Sequence, residues 1–388
     1  TGNVLENGTL TVGLFDYSSE LKYHEARVLA ALQANWDGGG DYNVDQQAVF
    51  VSLDYNLTDN LEVSIGVRDT DEDKEASIAS LNKNTTAFSA TAGDDWDSVL
   101  IMNRPCNVLN GGCTRDFNDS QSYSNTSTKL GAKYAIDSDR MAYFSRAVGF
   151  RSGAYNLRNT NADVANYPPG PTLVEEVTTY EVGYKMSFEG GKATFAVFDT
   201  EVEDIQRELN EPDPVSGGVN QYVTNVGDVE VQGIEIDSVL SLTDDLVLSL
   251  SAGYVDVSYA TVTKDLTGDG SVDAKDLALE LPRAAPLTWS IGLNRFGSYE
   301  GWTTNSRISL AHRDKSFFTD NNQGFINKQN VLNAGLDFTS PDGSTSIGIY
   351  GNNLTNEVRH GGDTQLSIGS YAPLMKGRVI GLEATYNF

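Results

Sequence analysis

No stretch of the 388 residues approaches the ~18 consecutive apolar residues that a membrane-crossing helix needs. A transmembrane helix is therefore excluded, while strands remain free to cross a bilayer as a closed wall. Basic residues are scarce: 27 Lys and Arg stand against 54 Asp and Glu, for a formal net charge of −27. Nucleic acid needs a basic face and is excluded as a partner. Cysteine is nearly absent, at two residues. The three histidines, His24, His312 and His360, lie far apart in sequence and no nucleophile motif accompanies them. A Ser-His pairing thus has no sequence support, and the chain reads as a protein that is not an enzyme.

What is abundant is glycine (37) and tyrosine (18), together with strict alternation. At the C-terminus Ile380, Leu382, Ala384, Tyr386 and Phe388 fall on one strand face, and Val379, Gly381, Glu383, Thr385 and Asn387 on the other. Val49, Val51, Leu53, Tyr55 and Leu57 repeat this pattern, as do Leu61, Val63, Ile65 and Val67. So do Leu246, Leu248, Leu250, Ala252 and Tyr254, and then Leu287, Trp289, Ile291 and Leu293. The period predicts about fourteen strands, near 8–18, 44–57, 60–72, 120–137, 140–155, 174–189, 191–209, 222–242, 245–260, 284–297, 300–318, 329–340, 344–356 and 375–388.

Connections alternate between short (56–60, 136–140, 189–192, 243–245, 297–300, 340–344) and long (near 19–43, 73–119, 156–173, 210–221, 261–283, 319–328 and 357–374). An apolar face, a polar face, short turns at one end and long loops at the other describe an all-β, transmembrane, antiparallel up-and-down β-barrel of an outer membrane. Outer-membrane lipid is then the expected surrounding. Within the first long connection, Tyr23 to Ala34 is rich in helix formers and predicts a short surface helix.

Several segments are similar to those of one family. Phe144 to Gly153 contains Gly149-Phe150-Arg151-Ser152-Gly153, which resembles the GFRSG segment of TonB-dependent receptors. Thr179-Tyr180-Glu181-Val182-Gly183-Tyr184-Lys185 resembles their YELGxK strand. Asn225-Val226-Gly227-Asp228 followed by Gln232-Gly233-Ile234-Glu235, the run Gly351-Asn352-Asn353-Leu354-Thr355-Asn356, and Gly377-Arg378 leading to Phe388 complete the order. The resemblance covers roughly residues 44–388. It implies a Gram-negative outer-membrane receptor whose barrel has 22 strands around a plugged lumen. The fourteen strands here then represent the C-terminal part of such a barrel, with no recognisable plug. The implied function is energy-coupled uptake of a scarce small molecule, most often a ferric siderophore or another metal chelate, with cobalamin, haem or an oligosaccharide as options. The implied partner is the inner-membrane TonB complex, reached through segments not in this chain. Alternatives are a self-contained fourteen-stranded passive or hydrophobic-substrate channel, and a calcium-braced surface-binding barrel. The glycines inside the motifs are expected to serve the backbone.

Asp265 to Leu277 carries the spacing of a calcium loop: Asp265 at position 1, Thr267 at 3, Asp269 at 5, Gly270 at 6, Ser271 at 7 through its carbonyl, Asp273 at 9 and Asp276 at 12. Asp at position 12 resembles the loop of dockerin modules. The expected cofactor is Ca²⁺, held in a loop facing the exterior. Cys106 and Cys113 flank six residues in the longest loop and are expected to form a local disulfide, in an oxidising compartment. Candidate ligand contacts are the cations and aromatics placed toward the lumen or loops: Arg151, Tyr155, Arg158, Arg313, Phe317, Phe318, Arg359, His360 and Tyr371. Guanidinium groups pair with carboxylate or catecholate anions, and aromatics stack on rings.

Overall fold

The computed structural model describes residues 2–5, 7–29, 34–80, 116–157, 167–212, 219–362, 364–366 and 369–388. In chain order the strands begin with β1 (Gly2–Leu5), β2 (Gly8–Leu29), β3 (Ala34–Thr58), β4 (Leu61–Ser80), β5 (Asp116–Ala135), β6 (Arg140–Arg151) and β7 (Glu175–Phe188). They continue with β8 (Gly191–Glu203), β9 (Gln206–Pro212), β10 (Val219–Asn225), β11 (Gly227–Thr243) and β12 (Leu246–Val262). A single-turn helix, α1 (Ala274–Leu277), precedes β13 (Leu287–Tyr299), β14 (Trp302–Arg313), β15 (Ser316–Phe317) and β16 (Phe325–Ile326). The last elements are β17 (Gln329–Thr339), β18 (Thr345–Asn352), β19 (Thr364–Leu366), β20 (Gly369–Tyr371) and β21 (Val379–Tyr386).

One antiparallel sheet of 15 strands follows the order β1-β2-β3-β4-β5-β6-β7-β8-β11-β12-β13-β14-β17-β18-β21. Fourteen of these are the long strands expected from the alternation, and β1 is a four-residue piece paired to the start of β2. The pairs β9/β10, β15/β16 and β19/β20 form separate two-stranded ribbons. All three lie in the long connections, at one rim of the sheet.

The two faces separate cleanly. Val12, Leu14, Val49, Val51, Ile65, Val67, Leu130, Phe144, Val182, Val197, Ile234, Ile291, Ile308, Ile349 and Leu382 are large, apolar and exposed. They occupy alternate positions and, through the pairing registers, form one continuous band; Leu14 is 83 % exposed and Leu382 80 %. A soluble protein would not present such a band to water. It is the lipid-facing belt of a membrane strand wall.

The opposite face explains the motif glycines. Gly13 lies directly opposite Phe50, Gly183 opposite Tyr143, Gly233 opposite Phe198 and Gly381 opposite Tyr350. In each pair the ring lies over the glycine, so a Cβ there would overlap the ring. A glycine leaves the ladder uncovered, and a cross-strand aromatic covers it. Gly335 and Gly348 do the same for an ion pair: they lie opposite Arg307 and Asp337, whose side chains pair across them.

The long strands overrun the membrane band, and two expectations change accordingly. The predicted helix over 23–34 is not formed: residues 23–29 continue β2 and pair with residues 34–40 of β3. Lengthening an existing ribbon adds ladder bonds without a new nucleus, whereas a lone helix of that length is marginal in water. The loops expected near 19–43 and 73–119 are correspondingly shorter, because β2, β3, β4 and β5 run into them as strands. The break between β8 and β9, and between β10 and β11, is set by the Asn225-Val226-Gly227-Asp228 motif. Asp204 has φ 53° and Gly227 φ 137°. The Asn225 side chain accepts from Leu173 N–H at 2.8 Å and donates to the Asp204 carbonyl at 2.6 Å. Asp228 accepts from Asp204 N–H at 2.9 Å and from the Thr261 hydroxyl at 2.6 Å. These bonds and positive φ values mark where the β9/β10 ribbon leaves the main sheet.

Candidate functional site

Three successive long connections meet at the rim: residues 263–286, 314–328 and 353–378. Hydrogen bonds weld the first two together. The Asn322 side chain accepts from Glu280 N–H at 2.7 Å and donates to the Glu280 carbonyl at 2.8 Å. Arg283 N–H donates to the Phe317 carbonyl at 2.7 Å. Arg313 Nη2 donates to the Arg283 carbonyl at 3.1 Å and to Ser316 Oγ at 3.0 Å. Arg207 on β9 pairs with Asp320 at 2.8 Å and ties the ribbon to the same unit.

Cations and rings converge on this frame. The Arg283 guanidinium lies 4.9 Å from the Phe318 ring centre. Lys315 Nζ lies 4.8 Å from both Phe317 and Phe325. Phe325 and His360 have ring centres 5.9 Å apart, tilted by 34°. Gly362 lets Phe318 approach the third connection, since a Cβ there would stand 3.1 Å from the ring. His360 is held by a backbone bridge to Leu374, and its Nδ1 is buried with no hydrogen-bond partner among the described residues. Arg283 and Lys315 are exposed. Residues 283–378 hold nine of the Lys and Arg against seven Asp and Glu. That window includes wall and short-turn residues; the three rim connections themselves, 263–286, 314–328 and 353–378, hold eight Lys and Arg against nine Asp and Glu, close to balance in a chain of net charge −27.

Of the residues singled out from the sequence, Arg313, Phe317, Phe318 and His360 are therefore brought together. Arg283, Lys315 and Phe325 were missed; the run Arg313-Asp314-Lys315-Ser316-Phe317-Phe318 signalled part of the cluster, but nothing local signals Arg283. Arg359 is exposed and its carbonyl accepts from Met375 N–H at 2.9 Å. Arg151 is exposed at the end of β6, opposite Glu175. Tyr155 is elsewhere and buried, with its hydroxyl on Asp119 at 2.8 Å and its ring against Tyr42 and Phe117. Burial pushes the Tyr42 phenol up to about 12. Beside that cluster the buried Lys74 donates to Ser152 Oγ and to the Gly153 carbonyl, and pairs with Glu72 at 3.2 Å. The GFRSG segment thus ends in a buried latch. Arg158, Cys106 and Cys113 lie outside the described residues, and Tyr371 is described only through its backbone in β20.

The aspartate-rich loop is tightly organised. Asp265 accepts from Gly268, Asp269 and Gly270 N–H groups and from the Thr267 hydroxyl. Asp276, fully buried, accepts from Leu266 and Thr267 N–H at 2.8 Å and from Asp273 N–H at 2.9 Å, closing a capping box on α1. Burial pushes the Asp276 carboxyl up, but these amides together outweigh it and hold it below the usual carboxylate range. Asp269 accepts from Ser271 and pairs with Lys275. Among the described residues no group of three or more acidic, His or Cys side chains is arranged to hold a metal ion. Leu266 anchors the loop in an apolar cluster with Leu209, Tyr222, Val226, Val229 and Tyr259.

A family model described as TonB dependent receptor-like, beta-barrel, matches residues 3–354. The chain belongs to the TonB-dependent receptor family. Members of this family are outer-membrane proteins of Gram-negative bacteria, and so is this chain. Among solved structures it is similar to the ferric yersiniabactin uptake receptor FyuA from Yersinia pestis, at 16 % identity and TM-score 0.74, covering 99 % of this chain and 52 % of that one. It is also similar to the ferric-catecholate import receptor Fiu from E. coli K12, at 15 % identity and TM-score 0.63, covering 98 % and 52 %. The copper transporter OprC matches at 12 % identity and TM-score 0.64, covering 99 % and 55 %. The chain thus spans about half the length of the structures it matches, and at these identities the likeness is one of fold. With this orientation the long-connection rim is extracellular and the short turns are periplasmic.

Proposed function

We propose that the protein containing this chain is an outer-membrane receptor that captures a scarce metal chelate at its extracellular rim and passes it inward. The ligand is an anionic, ring-bearing chelate of the ferric siderophore class. The observation that carries this reading is the cation–aromatic cluster of Arg283, Lys315, Phe317, Phe318, Phe325 and His360, set in an otherwise acidic protein. Cations placed over ring faces with an open side can exchange a protein ring for a ligand ring and pair with its anionic oxygens. The family and its neighbours, two of which are named for ferric chelates, support the class. Transport makes and breaks no covalent bond. The energising partner is the TonB complex of the inner membrane, engaged through segments outside this chain.

Uptake of ⁵⁵Fe supplied on catecholate, hydroxamate and carboxylate chelators, compared in cells with and without the gene, tests the proposal. One chelate is expected to lose entry on deletion and on collapse of the proton gradient. Entry of every chelate unchanged by deletion would refute it.

We also propose that the Asp265–Asp276 loop binds calcium from the medium, through Asp265, Thr267, Asp269, Ser271, Asp273 and Asp276. Binding there requires Lys275 to release Asp269, and Asp265 and Asp276 to turn carboxylate oxygens away from the amides they now accept from. Calcium titration of the intact protein should give heat that Asp269→Ala abolishes. Absence of heat in the parent protein would reject the site.

A further inference from the structure

Gly66 departs from the pattern of the other inward glycines. Gly13, Gly183, Gly233 and Gly381 each lie under a cross-strand ring. Gly66 lies opposite Ser52 on β3 and Lys129 on β5, and neither is a ring. A Cβ built on it would meet only Ser52 Oγ at 3.6 Å and the Cβ atoms of Lys129 and Ser52 at 3.7 and 3.9 Å. The strip of ladder that a ring covers elsewhere is open here. Ala147, opposite Lys129 on β6, is too small to cover it and extends the floor. A pocket of about 310 Å³ stands on this floor. That volume is at the lower end of the ~300–1,000 Å³ range of small-molecule sites.

Two cations border the opening. Arg68, two residues along β4 from Gly66, lies opposite Phe50 and Ser127. Its guanidinium is 4.9 Å from the Phe15 ring centre and 6.0 Å from that of Phe50, and its Nε donates to Thr70 Oγ1 at 3.2 Å. Lys129 is exposed on the other side. The two are diagonal neighbours on adjacent strands, about 7–8 Å apart at the backbone. Among the described residues, no ion pair joins either of them to a carboxylate. The inward carboxylates nearest to them are engaged elsewhere: Glu72 with Lys74, Glu62 with Lys133 and Asp54 with the Ser64 hydroxyl. In a chain of net charge −27, two neighbouring cations thus face an open pocket without protein counter-charge.

We propose that this pocket is a second ring-binding site, on the inward wall, for an aromatic anion. The ligand ring lies on the ladder at Gly66, in the place that a protein ring takes over Gly13 or Gly183. Its anionic oxygens pair with Arg68 and Lys129, and its remaining oxygens meet the Ser52 and Ser127 hydroxyls. A ring without an anion gains no ion pair, and an anion without a ring leaves the ladder uncovered, so each binds more weakly. Gly66 is five residues along β4 from Leu61, about 13 Å above the short turns at ~3.3 Å per residue and a tilt near 40°. The pocket is therefore well below the rim. On the receptor reading above, it is where an aromatic arm of the chelate rests after leaving the capture cluster. Its binding of an aromatic anion does not depend on that reading.

Saturation-transfer NMR on the full-length protein in detergent tests the site. The probe is 2,3-dihydroxybenzoate. Catechol, which lacks the carboxylate, and cyclohexanecarboxylate, which lacks the aromatic ring, are the comparators. The protein carries Arg283→Glu and Lys315→Glu to silence the rim cluster, and heat-modifiable gel mobility controls for folding. The probe should bind at least tenfold more tightly than either comparator. Arg68→Gln with Lys129→Gln should weaken it tenfold or more. Ser52→Tyr keeps both cations, lays a protein ring over Gly66 and should abolish binding; the glutamine pair decides if this variant does not fold. No binding of the probe, equal binding of all three compounds, or binding that survives these substitutions would overturn the proposal. In cells, the glutamine pair should slow ⁵⁵Fe uptake about tenfold, on the chelator whose entry depends on the gene, with surface binding unchanged. Uptake that is unchanged, or that falls only in proportion to surface binding, would overturn the role in transit. Uptake indifferent to deletion of the gene would refute the receptor reading and leave the pocket's binding standing.

Discussion

Lys74 is the residue on which the inner face of the extracellular extension turns. Its ammonium is buried with Glu72, Ser152 and the Gly153 carbonyl, under the Tyr123 ring at 5.5 Å. Removing one partner of a buried pair leaves the other charge without compensation, at a cost of roughly 3–5 kcal/mol. Lys74→Met should therefore release the segment 152–157, read as new limited-proteolysis cuts there. Adding Glu72→Gln should restore part of the protection, as expected for coupled neighbours. Asp276 makes a second prediction. Its folded carboxyl sits below its ordinary value, so its contribution is present above the unfolded value of about 3.9 and is lost as pH falls through the lower folded value. Asp276→Asn should reproduce the acid effect at neutral pH. Hydrogen exchange at Leu266, Thr267 and Asp273 should accelerate by roughly 10- to 100-fold. Exchange unchanged by the substitution would mean that the capping box does not hold the loop. The sequence displayed the loop spacing but not this use of Asp276, because ligation and amide capping call for the same short carboxylate at the same position.

At the scale of elements, the wall was legible and its ornaments were not. Fourteen long strands follow from alternation because each has one lipid-facing face, and a shift of one residue would reverse every side chain. The ribbons β9/β10, β15/β16 and β19/β20 lie in the long connections, outside the wall, where no lipid-facing side imposes such a pattern. Their positions depend on kinks such as Asp204 and Gly227, which have meaning only once the partner strand is in place. The ring-over-glycine pairs show the same limit: Gly183 and Tyr143 are both visible in the sequence, but only register makes them neighbours. Gly183→Leu should impair barrel assembly, seen as loss of the heat-modifiable band. Combining it with Tyr143→Ala should recover folded protein. A single Gly183→Leu variant that assembles normally would show that the ring does not need the glycine.

For the whole molecule, charge is the organising quantity. The outward face of the β2–β5 extension carries Asp16, Glu20, Asp45, Asp69, Asp71, Asp73 and Glu75, while the three rim connections 263–286, 314–328 and 353–378 are near balance, with eight Lys and Arg against nine Asp and Glu. If the ligand is the anionic chelate proposed, the acidic extension repels it and the exposed Arg283 and Lys315 attract it, over a range set by the Debye length. Ligand capture should accordingly weaken as salt rises. The candidate site was half legible for this reason: cations beside aromatics in one run, Arg313 to Phe318, stand out in an acidic sequence. Arg283 and His360 reach them only through two other connections.

The most direct measurement is the affinity of the full-length receptor in detergent for the ferric chelate whose uptake depends on it, compared with the Arg283→Glu, Lys315→Glu double variant. Two ring-seated cations, each contributing about 0.5–2 kcal/mol to a ligand ring taken in exchange, together with reversed charge, predict a loss of about 100-fold with heat-modifiable folding intact. Affinity unchanged in the folded double variant would contradict the assignment of this cluster as the capture site.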